Sequence, residues 1–198
     1  MKRLFMIVAA FMLSVSLKAQ KDFEIEIIRV LPESELTIIG STNVNTFTCR
    51  FNIAQITGRY TVSYTGENQY IKFKDLALNL QIDAFDCGNR KMNSDFQDLL
   101  RGDKYPHICI AIDRIEPFSK EYTKAFISVS LAGKEKHYDL PVNTIDNSLI
   151  GKFKINIRDF GLEPPKKALG LIEVDEMIEI YFDLKLLILN KSTDLPKF

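Results

Sequence analysis

Three cysteines have the most definite chemistry in this 198-residue sequence. Cys49 lies on a segment where apolar and polar residues alternate, and Cys87 lies where a neighbouring segment breaks into a turn. In an oxidising compartment, three such residues favour one disulfide and one remaining thiol. We predict the bond Cys49–Cys87, with Cys109 as a small buried apolar residue. Connectivity does not follow from sequence alone, so another pairing, or none, stays open.

Catalytic chemistry has little support in the sequence. A nucleophile needs a base within reach and a third group that orients the base. The two histidines, His107 and His137, lie in unrelated segments, and the motifs of phosphate loops, nucleophile elbows and zinc peptidases do not occur. The cysteine spacing matches no zinc pattern. We therefore predict no catalytic residue, no metal site and no cofactor, with both histidines at the surface.

One segment in the middle of the chain has a helical period. Phe96, Leu99 and Leu100 follow an i, i+3, i+4 spacing, which places one apolar stripe on a short helix. Ser94 is the predicted N-cap and Gly102 the predicted residue after the helix end. Because a helix of two or three turns is marginal in water, the stripe must pack on another element.

In the rest of the chain, apolar and polar residues alternate with a period of two, which is typical of strands. We count roughly eight to ten such segments, separated by turn residues and without a βαβ rhythm. The first segment has Phe23, Ile25 and Ile27 as its apolar face, and residues 76–84 form one long strand. Long strands and a lone helix favour an eight-stranded antiparallel barrel over a sandwich, with an interior that is either filled or holds a small ligand.

The N-terminus predicts export. Lys2 and Arg3 precede an apolar run at 4–17 that is shorter than the roughly 20 residues of a membrane span. We predict a signal peptide at 1–19 and a periplasmic or secreted mature chain with no stable membrane span, and an uncleaved anchor is the alternative. The mature chain, 20–198, is predicted to be one domain with a polar C-terminal tail.

Charge argues against nucleic acid as a partner. The whole sequence has 26 basic and 26 acidic residues, and the predicted leader contains three of the basic ones and none of the acidic ones. The mature chain therefore carries about −3 charges. No basic cluster interleaved with aromatic residues occurs, so we predict no nucleic-acid binding.

Four segments together resemble the YceI-like family of exported, polyisoprenoid-binding, lipocalin-like proteins. They are LTIIGSTN at 36–43 followed by Phe47, the helix from Met92 that ends in KYPHI at 104–108, LAGK at 131–134, and FKINIRDFG at 153–161. The resemblance covers about Phe23 to Leu189. It implies a lipocalin-like barrel that the helix partly closes around a long apolar molecule. Cys49 and Cys87 depart from the family pattern.

With this resemblance, we expect the apolar strand faces to form a pore wall instead of an ordinary packed core. The wall candidates, with Phe51 as the first choice, are Phe47, Phe51, Ile53, Leu78, Leu80, Ile82, Phe96, Ile155 and Ile157. Arg50 and Arg158 are the candidates for binding the head group of the ligand. The alternative is that both are ordinary solvated arginines at the surface.

The expected partner is an isoprenoid or a similar long-chain lipid, and we also consider a homodimer. The alternatives of a different class are an enzyme that acts on an apolar substrate in the same pore and a ligand-free interaction protein with a filled core.

Overall fold

The computed structural model describes residues 23–67, 69–167 and 171–189. The predicted signal peptide and the predicted tail from Asn190 lie outside these ranges. Within them the chain is mostly strand, with one α-helix. The elements are β1 (Glu24–Val30), β2 (Glu35–Ser41), β3 (Thr46–Phe51), β4 (Arg59–Glu67), β5 (Tyr70–Lys74), β6 (Ala77–Gln81), β7 (Phe85–Asp86), α1 (Arg90–Leu99), β8 (His107–Pro117), β9 (Tyr122–Leu131), β10 (Lys134–Ile145), β11 (Ser148–Asn156), β12 (Lys166–Lys167), β13 (Ile172–Glu173) and β14 (Met177–Ile188).

Eight of these strands form a closed ring of antiparallel pairs. The order around the ring is β1, β4, β5, β8, β9, β10, β11 and β14, and β14 returns to β1 through the pairs from Ile28↔Ile188 to Val30↔Leu186. The eight-stranded antiparallel architecture with one inserted helix, predicted from the sequence, is therefore confirmed.

Additional strands widen one end of this ring. β6 pairs with the first half of β8, while β5 pairs with its second half. β5 and β6 amount to one strand interrupted near Asp75, whose left-handed φ of 55° accompanies a shift in register. On the other side, β2, β3 and β7 extend the sheet from the first half of β14. The ring is therefore narrow at one end and wide at the end that β6 and β2 enlarge.

The helix begins five residues earlier than predicted. Asn89, not Ser94, is the N-cap, and its Oδ1 accepts a hydrogen bond of 3.0 Å from the backbone N–H of Met92. The Ser94 prediction was wrong because Asn and Ser cap helices about equally well, so residue type could not choose between them. The extra turn lets Met92 pack against the core.

The end of α1 also differs from the prediction. Arg101, with φ of 56°, takes the left-handed position that was assigned to Gly102. The N–H groups of Gly102 and Arg101 donate to the carbonyls of Gln97 and Asp98 at 2.9 and 3.1 Å, the two bonds of a Schellman end. No helix in the described part of the chain is long and apolar enough to cross a bilayer.

The segment predicted as one long strand, 76–84, is shorter in the structure. β6 ends at Gln81, and residues 82–84 form a 3-10 turn in which the N–H of Ile82 donates to the carbonyl of Pro106 at 2.9 Å. Ile82 is nevertheless buried, so the burial pattern of the strand continues through the turn. Alternation shows which side chains are buried but does not distinguish a strand from this turn.

The two faces of β1 are the reverse of the predicted ones. Val30 is 2% exposed and Ile25 is 62% exposed. Because alternate residues share a face, Glu24 and Glu26 lie on the side of Val30, and Ile25 faces outward. The pairing of Val30 with Leu186 of β14 sets this orientation, which local sequence does not contain.

The predicted disulfide between Cys49 and Cys87 is confirmed. β3 and β7 form a two-pair ladder, and the bonded cysteines occupy the next position of the same ladder. The bond therefore attaches the start of α1 to β3. Cys109 is a free thiol and is only half-buried, so its prediction as a buried residue was wrong. It lies on the opposite face of β8 from the buried Ile108.

Removal of the disulfide should destabilise the protein. For a separation of 38 residues, the chain-entropy model gives a loss of about 3–4 kcal/mol in the free energy of unfolding when Cys49 and Cys87 both become Ala. Urea denaturation of the purified protein measures this loss. Cys109→Ala is the control and should change stability by less than about 1 kcal/mol. Equal losses in the two variants would contradict the structural role of the bond.

Candidate ligand-binding site

A small apolar cavity lies at the wide end of the ring, beneath α1. Its volume is about 40 Å³, and all fourteen residues that line it have hydrocarbon side chains. They come from the helix with its C-cap and from seven strands on both sides of the ring, which makes the cavity the meeting point of the interior. The lining residues are Leu36, Ile38, Leu80, Phe85, Phe96, Leu100, Ile108, Ile110, Val129, Leu131, Phe153, Ile155, Ile178 and Ile180.

The apolar stripe of α1 closes this cavity. Phe96 and Leu100 are buried and line it, while Leu99 is half-buried. The ring of Phe96 lies 5.3 Å from that of Phe85, which in turn lies 5.0 Å from the ring of Phe51. This row of three tilted rings connects the helix to β7 and β3, so the helix is docked by aromatic packing as well as by the nearby disulfide.

The predicted wall residues divide into three groups. Leu80, Phe96 and Ile155 line the cavity. Phe51, Ile82 and Ile157 are buried in the same core but lie away from the cavity lining. The remaining three are half-buried and pack against the core from its margin: Phe47, Ile53 and Leu78. All nine therefore belong to the interior, and a ligand-contacting role for any of them stays a prediction.

Most of the cavity wall was not among the predicted residues. Ile108, Val129, Leu131, Ile178 and Ile180 lie on strands whose alternation was recognised, so the signal for burial was present. Their meeting at one cavity depends on which strands are neighbours in the ring and on strand register. Neither property is contained in the alternation of a single strand.

The two head-group candidates lie away from the cavity. Arg50 is exposed, on the opposite face of β3 from the buried Phe51. Arg158 is exposed in the turn after β11, where its Nε forms an ion pair with the carboxylate of Glu176. A head-group role for these arginines therefore has no support from the geometry of the cavity.

The wall has a gap between β10 and β11. These strands pair only near their hairpin, from Val142↔Gly151 to Ile145↔Ser148. Farther along, Tyr138 and Phe153 face each other with ring centroids 5.8 Å apart. The Tyr138 hydroxyl is buried and has no hydrogen-bond partner within the described ranges. Burial, and then the negative charge of Asp159, raise the pKa of this hydroxyl, so it stays a neutral donor at physiological pH.

None of the fourteen residues that line the cavity is titratable. In the part of the chain that the structure describes, no three His, Cys, Asp or Glu residues are placed to hold a metal ion. His107 and His137 are both exposed, and Nε2 of His137 lies 3.7 Å from the carboxylate of Glu135 at the surface. What the cavity offers a ligand is therefore apolar contact alone.

The YceI-like domain model matches residues 33–186. The chain belongs to the YceI-like family. No curated protein matches it in sequence. Among solved structures, BcnA of Burkholderia cenocepacia superposes with a TM-score of 0.60 at 14% identity, covering 78% of this chain and 96% of the other. A polyisoprenoid-binding domain from Saccharophagus degradans superposes with a TM-score of 0.55 at 12% identity, covering 83% and 99%.

These similarities confirm the resemblance noted in the sequence. At such low identity the two solved structures show a shared fold. All four quoted segments contribute to the wide end of this YceI-like ring: the β2–β3 pair, α1 with the start of β8, β11 with its following turn, and the turn at 131–134 between β9 and β10, where Leu131 lines the cavity.

Removal of the Tyr138 hydroxyl, which has no hydrogen-bond partner within the described ranges, is expected to stabilise the protein. A buried hydroxyl without a partner costs about 1–3 kcal/mol, so Tyr138→Phe should stabilise the protein by about 1 kcal/mol or more. The matched control is Tyr60→Phe, because the Tyr60 hydroxyl donates to the carbonyl of Ile56 at 2.8 Å. Loss of this hydrogen bond should lower the free energy of unfolding by about 1 kcal/mol. Urea denaturation measures both, and destabilisation of Tyr138→Phe would show that this hydroxyl has a partner in solution.

Proposed function

We propose that this protein binds an isoprenoid or a similar long-chain amphiphile in the interior of the ring and has no catalytic role. The observation that carries the proposal is the lining of the cavity, which consists only of hydrocarbon side chains in a YceI-like fold. The Saccharophagus degradans neighbour is described as polyisoprenoid-binding, which supports the same class of ligand here.

A chain-like ligand requires the interior to open. Ligand pockets usually measure about 300–1,000 Å³, and the cavity has about 40 Å³. The helix α1 is the element best suited to move, because Phe96 and Leu100 are the only buried side chains among the four that it packs against the core. The gap between β10 and β11 allows further widening, since no backbone ladder resists it there.

The energies of opening and of ligand burial are similar in size. Exposing the buried Phe96 and Leu100 costs about 3–6 kcal/mol at 1.5–3 kcal/mol for each side chain, and exposing the half-buried Met92 and Leu99 adds to that cost. Burying a dozen methylene groups of a ligand contributes about 10 kcal/mol at 0.8 kcal/mol each. A ligand of that length can therefore offset displacement of the helix. Because the Cys49–Cys87 bond holds the residues before α1, the helix would swing about a fixed end.

We further propose that the protein is exported to the periplasm or secreted after cleavage of residues 1–19. The basic start and short apolar run of the sequence support cleavage. The disulfide supports an oxidising compartment.

A ligand-free interaction protein is the second candidate, and the small cavity favours it. A filled core is a common solution for small barrels. An enzyme is less well supported, because none of the residues that line the cavity is titratable.

The first test is extraction of the protein purified from its exported fraction. Mass spectrometry of an organic extract should find a long-chain apolar molecule near one per protein chain. Delipidated protein should melt at a lower temperature than untreated protein, because a ligand that binds only the folded state stabilises it. Identical melting temperatures together with an empty extract would refute lipid binding and support the filled core.

A matched pair of substitutions tests whether the ligand occupies the cavity. Ile155 lines the cavity and Ile157 does not, although both are buried, with exposed fractions of 4% and 1%. Ile155→Ala and Ile157→Ala should each lower the stability of delipidated protein by about 2–5 kcal/mol. Readdition of the extracted lipid should offset a larger share of the loss in Ile155→Ala, because the ligand fills the space left there. Equal recovery in both variants would place the ligand elsewhere.

A further inference from the structure

The outer surface around β1 combines positive charge with exposed apolar side chains. We call it the cationic face. It comprises the outward residues of β1, β4 and β5 and the end of β14. Its exposed basic residues are Arg29, Arg59, Lys72 and Lys74, and the half-buried Glu67 is the carboxylate of β4 on the same side. The formal charge of the whole sequence is zero, so this concentration of cations is a local feature.

Arg29 and Arg59 occupy directly opposite positions in the β1–β4 ladder. Like charges placed opposite each other in a sheet are destabilising. No carboxylate within the described ranges forms an ion pair with either guanidinium, or with Lys72 or Lys74. The fold therefore keeps two neighbouring guanidinium groups that nothing in this part of the chain neutralises.

Apolar side chains lie beside these cations. Ile25 is 62% exposed on the outer face of β1, and Leu187, which pairs directly with Arg29, is 41% exposed on β14. Phe23 is also exposed, and the Nζ of Lys74 lies 5.6 Å from the centre of its ring. The described residues do not cover this strip, which makes it a surface suited to a partner that is both anionic and apolar.

We propose that the cationic face docks on a membrane surface that contains anionic phospholipid. Phosphate groups at such a surface accept the two-pronged hydrogen bonds of arginine. The apolar side chains would enter the boundary between head groups and acyl chains, as peripheral proteins do. This inference goes beyond the lipid-binding proposal and does not depend on it, because the cationic face and the cavity share no residue.

The positive charge of the cationic face favours an anionic membrane as the partner over a second copy of the chain. A symmetric dimer through this face would place Arg29 and Arg59 of one copy against the same cationic strip of the other. Like-charge contact of that kind costs energy, whereas an anionic bilayer attracts every cation of the strip. The homodimer considered from the sequence is therefore not expected to use this surface.

The test is flotation of the mature protein with vesicles. One preparation is phosphatidylcholine alone, and in the other about one third of the lipid is phosphatidylglycerol. We expect binding to the anionic vesicles only, falling at least tenfold between about 50 mM and about 500 mM salt. Absence of binding to the anionic vesicles, or equal binding to the two preparations, would overturn the proposal.

A pair of double variants makes the test specific to this face. Each basic residue near an anionic surface contributes about fivefold to partitioning, so Arg29→Gln with Arg59→Gln should weaken binding about 25-fold. The control is Lys120→Gln with Lys136→Gln, which removes the same charge from exposed positions beside β8 and on β10, across the ring. It should change binding by less than about threefold. Equal losses would overturn the proposal in favour of non-specific attraction.

The apolar contribution has its own variant. Ile25→Ser with Leu187→Ser should weaken vesicle binding while the relative effect of salt stays the same, because the charges remain. Unchanged binding would contradict insertion of the strip. Sedimentation of the wild-type protein without lipid provides a last check. If the wild type is a dimer and the double arginine variant is a monomer, the proposal is overturned in favour of self-association.

Discussion

The architecture depends on the way β14 divides one of its edges between two partners. Along one edge β14 pairs with β11 over nine residues. Along the other edge its first half pairs with β2, and its last residues pair with β1. Because one edge of a strand can pair with only one neighbour at a time, β2 and β1 must diverge. The ring therefore closes through β1 at one end and stays wide at the other.

The strands alone do not bury the apolar side chains at the wide end. Inward side chains of β2, β8 and β14 converge there, and their hydrocarbon surface would be exposed without a cover. α1 provides the cover with Phe96 and Leu100, although a ten-residue helix has little stability of its own. Its stability comes from packing on Phe85 and from the disulfide at its start. A cover held in this way is consistent with the opening that we propose for ligand entry.

β1 separates the two surfaces to which we assign a role. Its inner face includes Val30 and contributes to the core, and its outer face presents Ile25 beside the cations of β1 and β4. Exposing apolar side chains costs about 25 cal/mol for each Å² left in water. Within the described ranges, no ion pair offsets the repulsion between Arg29 and Arg59. An interior that accepts an apolar chain and an exterior that meets a bilayer are compatible properties, since such a ligand is scarcely soluble in water.

The sequence by itself determined the properties that depend on local pattern. A period of two residues predicted the strands and which side chains share a face, and one stripe predicted α1. The alternation around Cys49 and the turn at Cys87 suggested the bonded pair, but the connectivity stayed open until β3 and β7 were seen to be neighbours. Tertiary structure decided which face of β1 turns inward, because that follows from pairing with β14, nearly 160 residues away. It also decided the size of the cavity and the positions of Arg50 and Arg158 outside it. A cavity is the space left when side chains from eight elements pack together, and no single segment contains that information.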